Sequence, residues 1–539
     1  MSLAAKFATV GGATLFSRIF GFGREMMMAS ALGIGPVADA FNLAFRFPNL
    51  FRRLFAEGAF NSAFIPLFAR KLEEGGEEGA RDFATEIFST LFVVLTLITV
   101  VAMIFMPFLV QTIIAPGLAT CVDDPAVSAA QAISCADRYA ITVAYSRIMF
   151  PYLACMSMLA MVSGILNAFR RFFAAAVAPS LLNFILIGVL AWGFYEKAPQ
   201  REVGFLMSWG VLAAGVAQLA MVTVAMRIAG FSVSLRRPRW TKNLKRLLVL
   251  AAPAALIGGI TQINLFVGQA IASYKPGAVS ILQYADRPYQ LPLGMVGVAI
   301  GVVLLPELAR SLKAGRLEEA QHTQNRSLEF ALFLTVPAAV ALFIIPDPII
   351  RLIYERGAFE TSTTHLVAAV LGIYALGLPA FVLIKVFSPG YFAREDTKTP
   401  MIVTGASAFA NIALSLALFF VLAERGIAWA TTLAGWLNAA LLFEGLRRRG
   451  LWELDRALVK RAALVVLSAA LMGVALVFLQ RQLGAWTGPG SSVPHQIVAI
   501  LILVTVAMVV YFALTVATGA VDRSMLKRLL KGRRKQTAA

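Results

Sequence analysis

Apolar runs of about 20 residues or more recur along the whole chain, separated by short polar loops. An α-helix needs ~20 apolar residues to cross ~30 Å of hydrocarbon. The pattern predicts about fourteen helical spans, at 5–32, 37–70, 82–113, 138–169, 175–195, 203–229, 242–273, 277–313, 322–351, 361–393, 398–422, 425–449, 458–481 and 494–520. Several exceed the bilayer thickness and are expected to tilt or protrude. A transmembrane β-barrel would instead repeat alternating segments of ~10 residues. The expected fold class is an all-α polytopic membrane protein.

The pattern also repeats. Shifted by 240 residues, "RFPNLFRRLFAEGAFNSAFIPLFARKLEEG" lies over "DRPYQLPLGMVGVAIGVVLLPELARSLKAG" without a gap. Pro48 meets Pro288, Pro66 meets Pro306, Ala69 and Arg70 meet Ala309 and Arg310, and Gly75 meets Gly315. A weaker echo pairs "NAFRRF" with "GYFARE". The second span thus overlays the eighth. An even number of spans per repeat gives two bundles of one orientation, and transporters commonly bind substrate between such halves. The expected organisation is a lobe over 1–230 (spans 1–6), a lobe over 231–450 (spans 7–12), two additional spans over 451–520 and a basic tail over 521–539.

Charge then orients the chain. Of 539 residues, 59% are hydrophobic and 14% charged, with a formal net charge of +19. Such a cationic balance can mark nucleic-acid binding. Here Lys and Arg concentrate in alternate loops, including Arg236, Arg237, Arg239, Lys242, Arg447, Arg448 and Arg449, and in the tail. The positive-inside rule makes those loops cytoplasmic, with both termini inside and no nucleic-acid partner. Arg18 and Arg24 interrupt the first apolar stretch, which argues against a cleaved signal peptide. Cys121 and Cys135 share one predicted outer loop, where a bridge and two free thiols are both open outcomes. Cys155 reads as a buried apolar side chain.

The candidate chemistry lies within the spans. On an ideal helical wheel Asp39, Asn42, Arg46, Asn49, Arg53 and Glu57 fall within one arc of roughly 80°. A charge facing lipid at mid-membrane costs ~2.5–3.5 kcal/mol or more, so this stripe must line protein or water. Arg53 and Glu57 are spaced to pair locally, and Asp39 is placed to meet a cation from another helix. Arg18 and Arg24 in "FSRIFGFGRE" flank Gly21 and Gly23, which permit a bend. Pro48 is expected to loosen span 2. "YADRPYQLP" sets Asp286, Arg287 and Pro288 within span 8, and Lys385 sits within span 10. Interhelical ion pairs and snorkelling account for single residues such as Arg46, Arg53 and Arg147. They do not account for the group: Arg18, Arg24, Arg46, Arg52, Arg53 and Arg287 outnumber Asp39, Glu57 and Asp286. Surplus arginine in a membrane cavity suits an anionic guest, held bidentately as phosphate or carboxylate.

No phosphate-loop pattern is present, and His322, His365 and His495 have no metal or triad spacing. The chain reads as a transporter without ATP hydrolysis, cofactor or metal, driven by the membrane potential or a monovalent cation.

"SRIFGFGRE", "ADAFNLAFRFPNLFRRLFAEGAFNSAFIP", "YADRPYQLPLGMVGVAIGVVLLPELARS" and "KVFSPGYFAREDTKTP" resemble the MurJ (MviN) lipid II flippases, within the class of multidrug, oligosaccharidyl-lipid and polysaccharide exporters. The resemblance implies two six-helix lobes in a V shape, with two further helices bordering a groove for the lipid tail. It implies a monomer in the bacterial inner membrane that moves undecaprenyl-pyrophosphate-linked peptidoglycan precursor to the outer leaflet by alternating access. It implies substrate-binding roles for Arg18, Arg24, Arg52 and Arg287 and cavity or gate positions for Asp39, Asn49 and Glu57; beside these, Ser17 and Asn49 are candidate substrate contacts, and Arg53 and Asp286 candidate ion-pair residues with Asp39 and Glu57. A flippase for another polyprenyl-linked glycan and a cation-coupled drug antiporter are the rival readings; the basic stripe disfavours the second.

Overall fold

The computed structural model describes residues 3–51, 60–121 and 133–520. Among these there are helices and connecting segments and no strand. That outcome follows from the solvent: in hydrocarbon every backbone N–H and C=O must be satisfied within its own segment.

The long helices are α1 (Leu3–Leu32), α2 (Pro36–Phe51), α3 (Phe60–Ile104), α4 (Cys135–Met149), α5 (Tyr152–Ala168), α6 (Phe173–Tyr195), α7 (Gln200–Ile228) and α8 (Lys242–Ala272). They continue as α9 (Ala278–Lys313), α10 (Leu317–Ile344), α11 (Pro346–Tyr354), α12 (Thr361–Phe392), α13 (Lys398–Leu422), α14 (Glu424–Arg448), α15 (Arg456–Gln482) and α16 (Val493–Ala517). Among the described residues, ten helices are long and apolar enough to cross a membrane. The other expected spans correspond to α1, α2, α8 and α9.

The second expected span, 37–70, is described on either side of 52–59, as α2 through Phe51 and as α3 from Phe60. α3 then turns out of helical geometry at Gly76 (φ 61°), so it is two helices in succession. Gly315, with φ 71°, follows α9 in the same way. In both halves a proline-bearing helix, with Pro66 or Pro306, is followed by a left-handed glycine, Gly76 or Gly315, one position apart in the 240-residue register.

Contacts divide the chain into two units, Met1–Ser280 with Arg356–Phe359, and Ile281–Glu355 with Glu360–Ala539. In the first unit α1 packs on α6, α6 and α5 on α7, α5 and α8 on α3, and α2 on α4. α8, which the repeat counts with the second lobe, belongs here by its contacts. The segment before it is strapped along α3: Arg236 N–H donates to Ser89 Oγ at 2.9 Å, and Arg236 pairs with Asp82 at 2.9 Å. In the second unit Val296, Ile300 and Leu304 of α9 share a core with Leu328 of α10, Leu383, Val386 and Phe387 of α12, Leu442 of α14 and Trp452. α15 and α16 seat Met472, Leu476, Leu503 and Tyr511 against Val336 and Val340 of α10. Tyr511 anchors them by donating to the Phe333 carbonyl at 2.7 Å.

Candidate substrate-binding residues

Asp39 stands in the first turn of α2, its carboxylate buried. One oxygen accepts from Ser280 N–H at 2.9 Å and Ser280 Oγ at 2.6 Å; the other accepts from Gly277 N–H at 2.6 Å. Those N–H groups open α9, where the helix leaves donors unpaired and its dipole favours an anion. Asn42, one turn along α2, donates to Ser280 Oγ at 3.5 Å. The expected partner of Asp39 was a cation on another helix. Its direct partners are a helix N-terminus, and the cation, Arg138 of α4, lines a void of about 10 Å³ beside it with Thr142 and Ser273. That volume is about one water molecule.

The turn before α2 is locked nearby. Gly33 (φ 60°) and Gly357 (φ 56°) both adopt left-handed backbone, and Ala358 N–H donates to the Ser30 carbonyl at 2.8 Å. A Cβ at Gly33 would fall 2.3 Å from the Ala358 oxygen, and one at Gly357 would fall 2.4 Å from the Ser30 oxygen. Only glycine fits either position.

α1 carries Ser17, Arg18 and Arg24 and runs as one helix through Gly21 and Gly23. Gly21 has another use there: it lies under the Asn183 amide of α6, which donates to the Ser17 carbonyl at 3.0 Å. Arg24 is half-buried, and its Nη2 meets Glu25 Oε1 at 2.6 Å. Glu25 has 5% of its side chain exposed, and the sequence reading overlooked it because adjacent residues point to different faces of a helix. With Glu25 the candidate acids number four, with Asp39, Glu57 and Asp286, against the six candidate arginines, so cations remain in excess among them. Arg18 is exposed, with no ion-pair partner among the described residues.

Asn49 and Arg46 are half-buried on α2. On α9, Asp286 and Arg287 are both half-buried, and Gln290 donates to Asp286 one turn on. Arg147 donates to the Met103 carbonyl at 3.1 Å, in line with a satisfied interfacial residue. Arg52, Arg53 and Glu57 lie outside the described residues. The structure joins Cys121 to Cys135, and Arg138 Nη1 also reaches the Cys121 sulfur at 3.3 Å. Among the described residues no group of three or more His, Cys, Asp or Glu is arranged to hold a metal ion.

The family profile described as "Lipid II flippase MurJ" matches residues 28–516. A probable lipid II flippase MurJ of Rhizobium tropici is 54% identical over 539 residues, covering 100% of this chain and 98% of its own. A lipid II flippase MurJ of Burkholderia cenocepacia is 32% identical, over 84% of this chain and 85% of its own. Among solved structures, a lipid II flippase MurJ in an inward closed conformation aligns with a TM-score of 0.73 at 24% identity, covering 94% of this chain and 98% of that one. An inward-facing MATE multidrug transporter of the MOP superfamily aligns with a TM-score of 0.66 at 15% identity, over 81% of this chain and 95% of that one.

Proposed function

The chain belongs to the lipid II flippase MurJ family, and on that premise we propose that it carries lipid II from the inner to the outer leaflet of the bacterial cytoplasmic membrane. The observation that supports this most strongly is the 54% identity to a probable lipid II flippase over the entire chain. The fold agrees, being an all-α multi-pass bundle.

The site chemistry fits the cargo. A diphosphate presents paired oxygens, and guanidinium answers them with a planar fork of donors. Arg18, Arg24, Arg52 and Arg287 are the proposed ligands, with Ser17 and Asn49 as neutral partners. The bond to Glu25 engages one terminal nitrogen of Arg24 and orients the group. Asp39 acts as a gate residue through the start of α9, and Arg53, Glu57 and Asp286 as local counter-charges. Alternating access follows if substrate binds the inward and outward states unequally. A headgroup of charge near −2 gains ~2.3 kcal/mol per charge per 100 mV on moving outward against an inside-negative potential.

The proposed orientation puts both termini in the cytoplasm. Two independent signals support it. Cations crowd one set of loops, and the Cys121–Cys135 bridge belongs to the cation-poor set, where an oxidising compartment would keep it closed.

The test is complementation of a strain depleted of its own flippase, with insertion checked by membrane fractionation. Arg24→Ala and Arg287→Ala are expected to abolish growth while inserting normally, and Arg→Lys to rescue poorly. Full growth with both alanine variants refutes the site assignment. Labelled precursor that reaches the outer leaflet at the normal rate in depleted cells refutes the function.

A further inference from the structure

α12 is the most enclosed long helix of the second unit. From Val367 to Tyr391 every residue is buried or half-buried except one, Lys385. The only large apolar side chain exposed on α12 is Phe392, at its end. Helices that face lipid here look different: α13 exposes Phe409, Leu416, Phe420 and Val421 along its length. Lys385 is therefore not a residue on a lipid-facing row. It lies beside α9, with its stem against bare backbone; a Cβ at Gly297 would touch Lys385 Cγ at 3.7 Å. Gln290, Leu291 and Met295 of α9 are exposed as well.

The ammonium has no acidic partner among the described residues. The core packing of Leu383, Val386 and Phe387 against Val296 and Ile300 fixes its stem. An unpaired cation is costly at this depth, about two helical turns or ~10 Å from the end of α12. Its position along α9 is informative. Gly297 is ten residues from Arg287, or ~15 Å along the helix. One diphosphate cannot bridge that distance, but a sugar-linked peptide can, at ~3.3 Å per extended residue.

We propose that Lys385 is a second anion-binding position, which takes a carboxylate of the peptide part of the substrate while the diphosphate is held by arginine. The proposal rests on the flippase reading and refines it: Lys385 selects for a headgroup that carries an acidic peptide. The role suits Lys, whose flexible stem can follow a mobile carboxylate where a fixed fork is not required.

The test uses the full chain, purified in detergent, and two probes: undecaprenyl-diphosphate disaccharide bearing the peptide, and the same lipid with the peptide removed. Lys385→Met keeps the stem and removes the charge. It is expected to weaken binding of the peptide-bearing lipid about tenfold and to leave the peptide-free lipid unchanged. Lys385→Arg should restore most of the loss, and amidating the peptide carboxylates should abolish the difference between Lys385→Met and the unaltered protein. Arg287→Ala should weaken both probes. Equal loss on the two lipids, or loss on neither, overturns the proposal while the flippase reading stands. An unaltered protein that binds neither lipid removes both.

Discussion

Replacing Asp39 by Ala tests whether a carboxylate on α2 holds the start of α9. The substitution removes the acceptor for Gly277 N–H, Ser280 N–H and Ser280 Oγ, at 2.6, 2.9 and 2.6 Å. The Ser280 hydroxyl can rotate to another acceptor, but the two backbone donors are fixed. Losing a cap costs about 0.5–2 kcal/mol, and each buried donor left unsatisfied costs about 1–3 kcal/mol. These contributions overlap, so the local cost is about 3 kcal/mol. Each 1.4 kcal/mol is tenfold in an equilibrium, so the start of α9 should open roughly 100-fold more often. Hydrogen exchange of the full chain in detergent, read by mass spectrometry over 275–285, would report it. Asp39→Asn keeps one acceptor oxygen and loses only the charge at the helix terminus, so its exchange should fall between the two. Unchanged exchange at this segment in Asp39→Ala would refute the reasoning, as would a rise that is uniform over the chain.

Asp396, in the loop between α12 and α13, accepts from Thr399 Oγ1 at 2.6 Å, Thr399 N–H at 2.9 Å and Arg449 Nη1 at 2.8 Å. The Thr399 bonds first, then Arg449, hold its carboxyl down to about 2 from an ordinary 3.8. A folded value below the unfolded one stabilises in full above pH ~4 and is lost as pH falls through ~2. The stability difference between the unaltered protein and Asp396→Asn, on the order of ~1 kcal/mol at this solvated site, should therefore close over that window in thermal melts. The Cys121–Cys135 bridge closes a loop of sequence separation 14, worth about 3 kcal/mol by chain entropy. Cys121→Ser should lower the melting temperature, and reductant should lower that of the unaltered protein but not of the variant. Gly33→Ala forces a Cβ to 2.3 Å from the Ala358 oxygen at φ 60° and should destabilise by more than ~1–2 kcal/mol. Gly12→Ala, on open helix surface, should be neutral or stabilising, and equal melting of the two variants would contradict this account.

Most of the architecture was legible in the sequence because hydrocarbon imposes one rule on every span. Helix limits, the left-handed glycines that follow Pro66 and Pro306, and the burial of Asp39 and Asn42 on α2 all follow from local patterning. The helical stretch between the second and third expected spans was not legible: "KLEEGGEEGAR" is polar and glycine-bearing, yet α3 runs through it with its turn at Gly76. The partner of Asp39 was hidden for a different reason. It consists of backbone N–H groups 238 and 241 residues away, and every residue type except proline presents the same N–H. Glu25 was hidden by the rule that neighbours on a helix diverge, which long arginine side chains can evade.

Charges in and beside the spans sort into two kinds, and the sorting says which of them can serve a substrate. Some are consumed by the fold. Asp39 caps α9. Arg351, with 5% of its side chain exposed, spans from Glu355 at 3.0 Å to the Thr487 carbonyl at 2.6 Å, while Glu355 accepts from Thr361 and Thr364. Removing one member of such a set leaves a buried charge without its partner, so alanine variants there report stability. Arg18 and Lys385 are of the other kind. Both are exposed within long helices, and neither has an acidic partner among the described residues. The fold does not depend on their charge, so retaining it at a depth where it is penalised needs another reason. An anionic substrate that meets them only when it binds supplies one. Substitutions at Arg18 and Lys385 should therefore leave stability within about 0.5 kcal/mol of the unaltered protein while changing transport, and Arg351→Ala should do the opposite, failing in stability first.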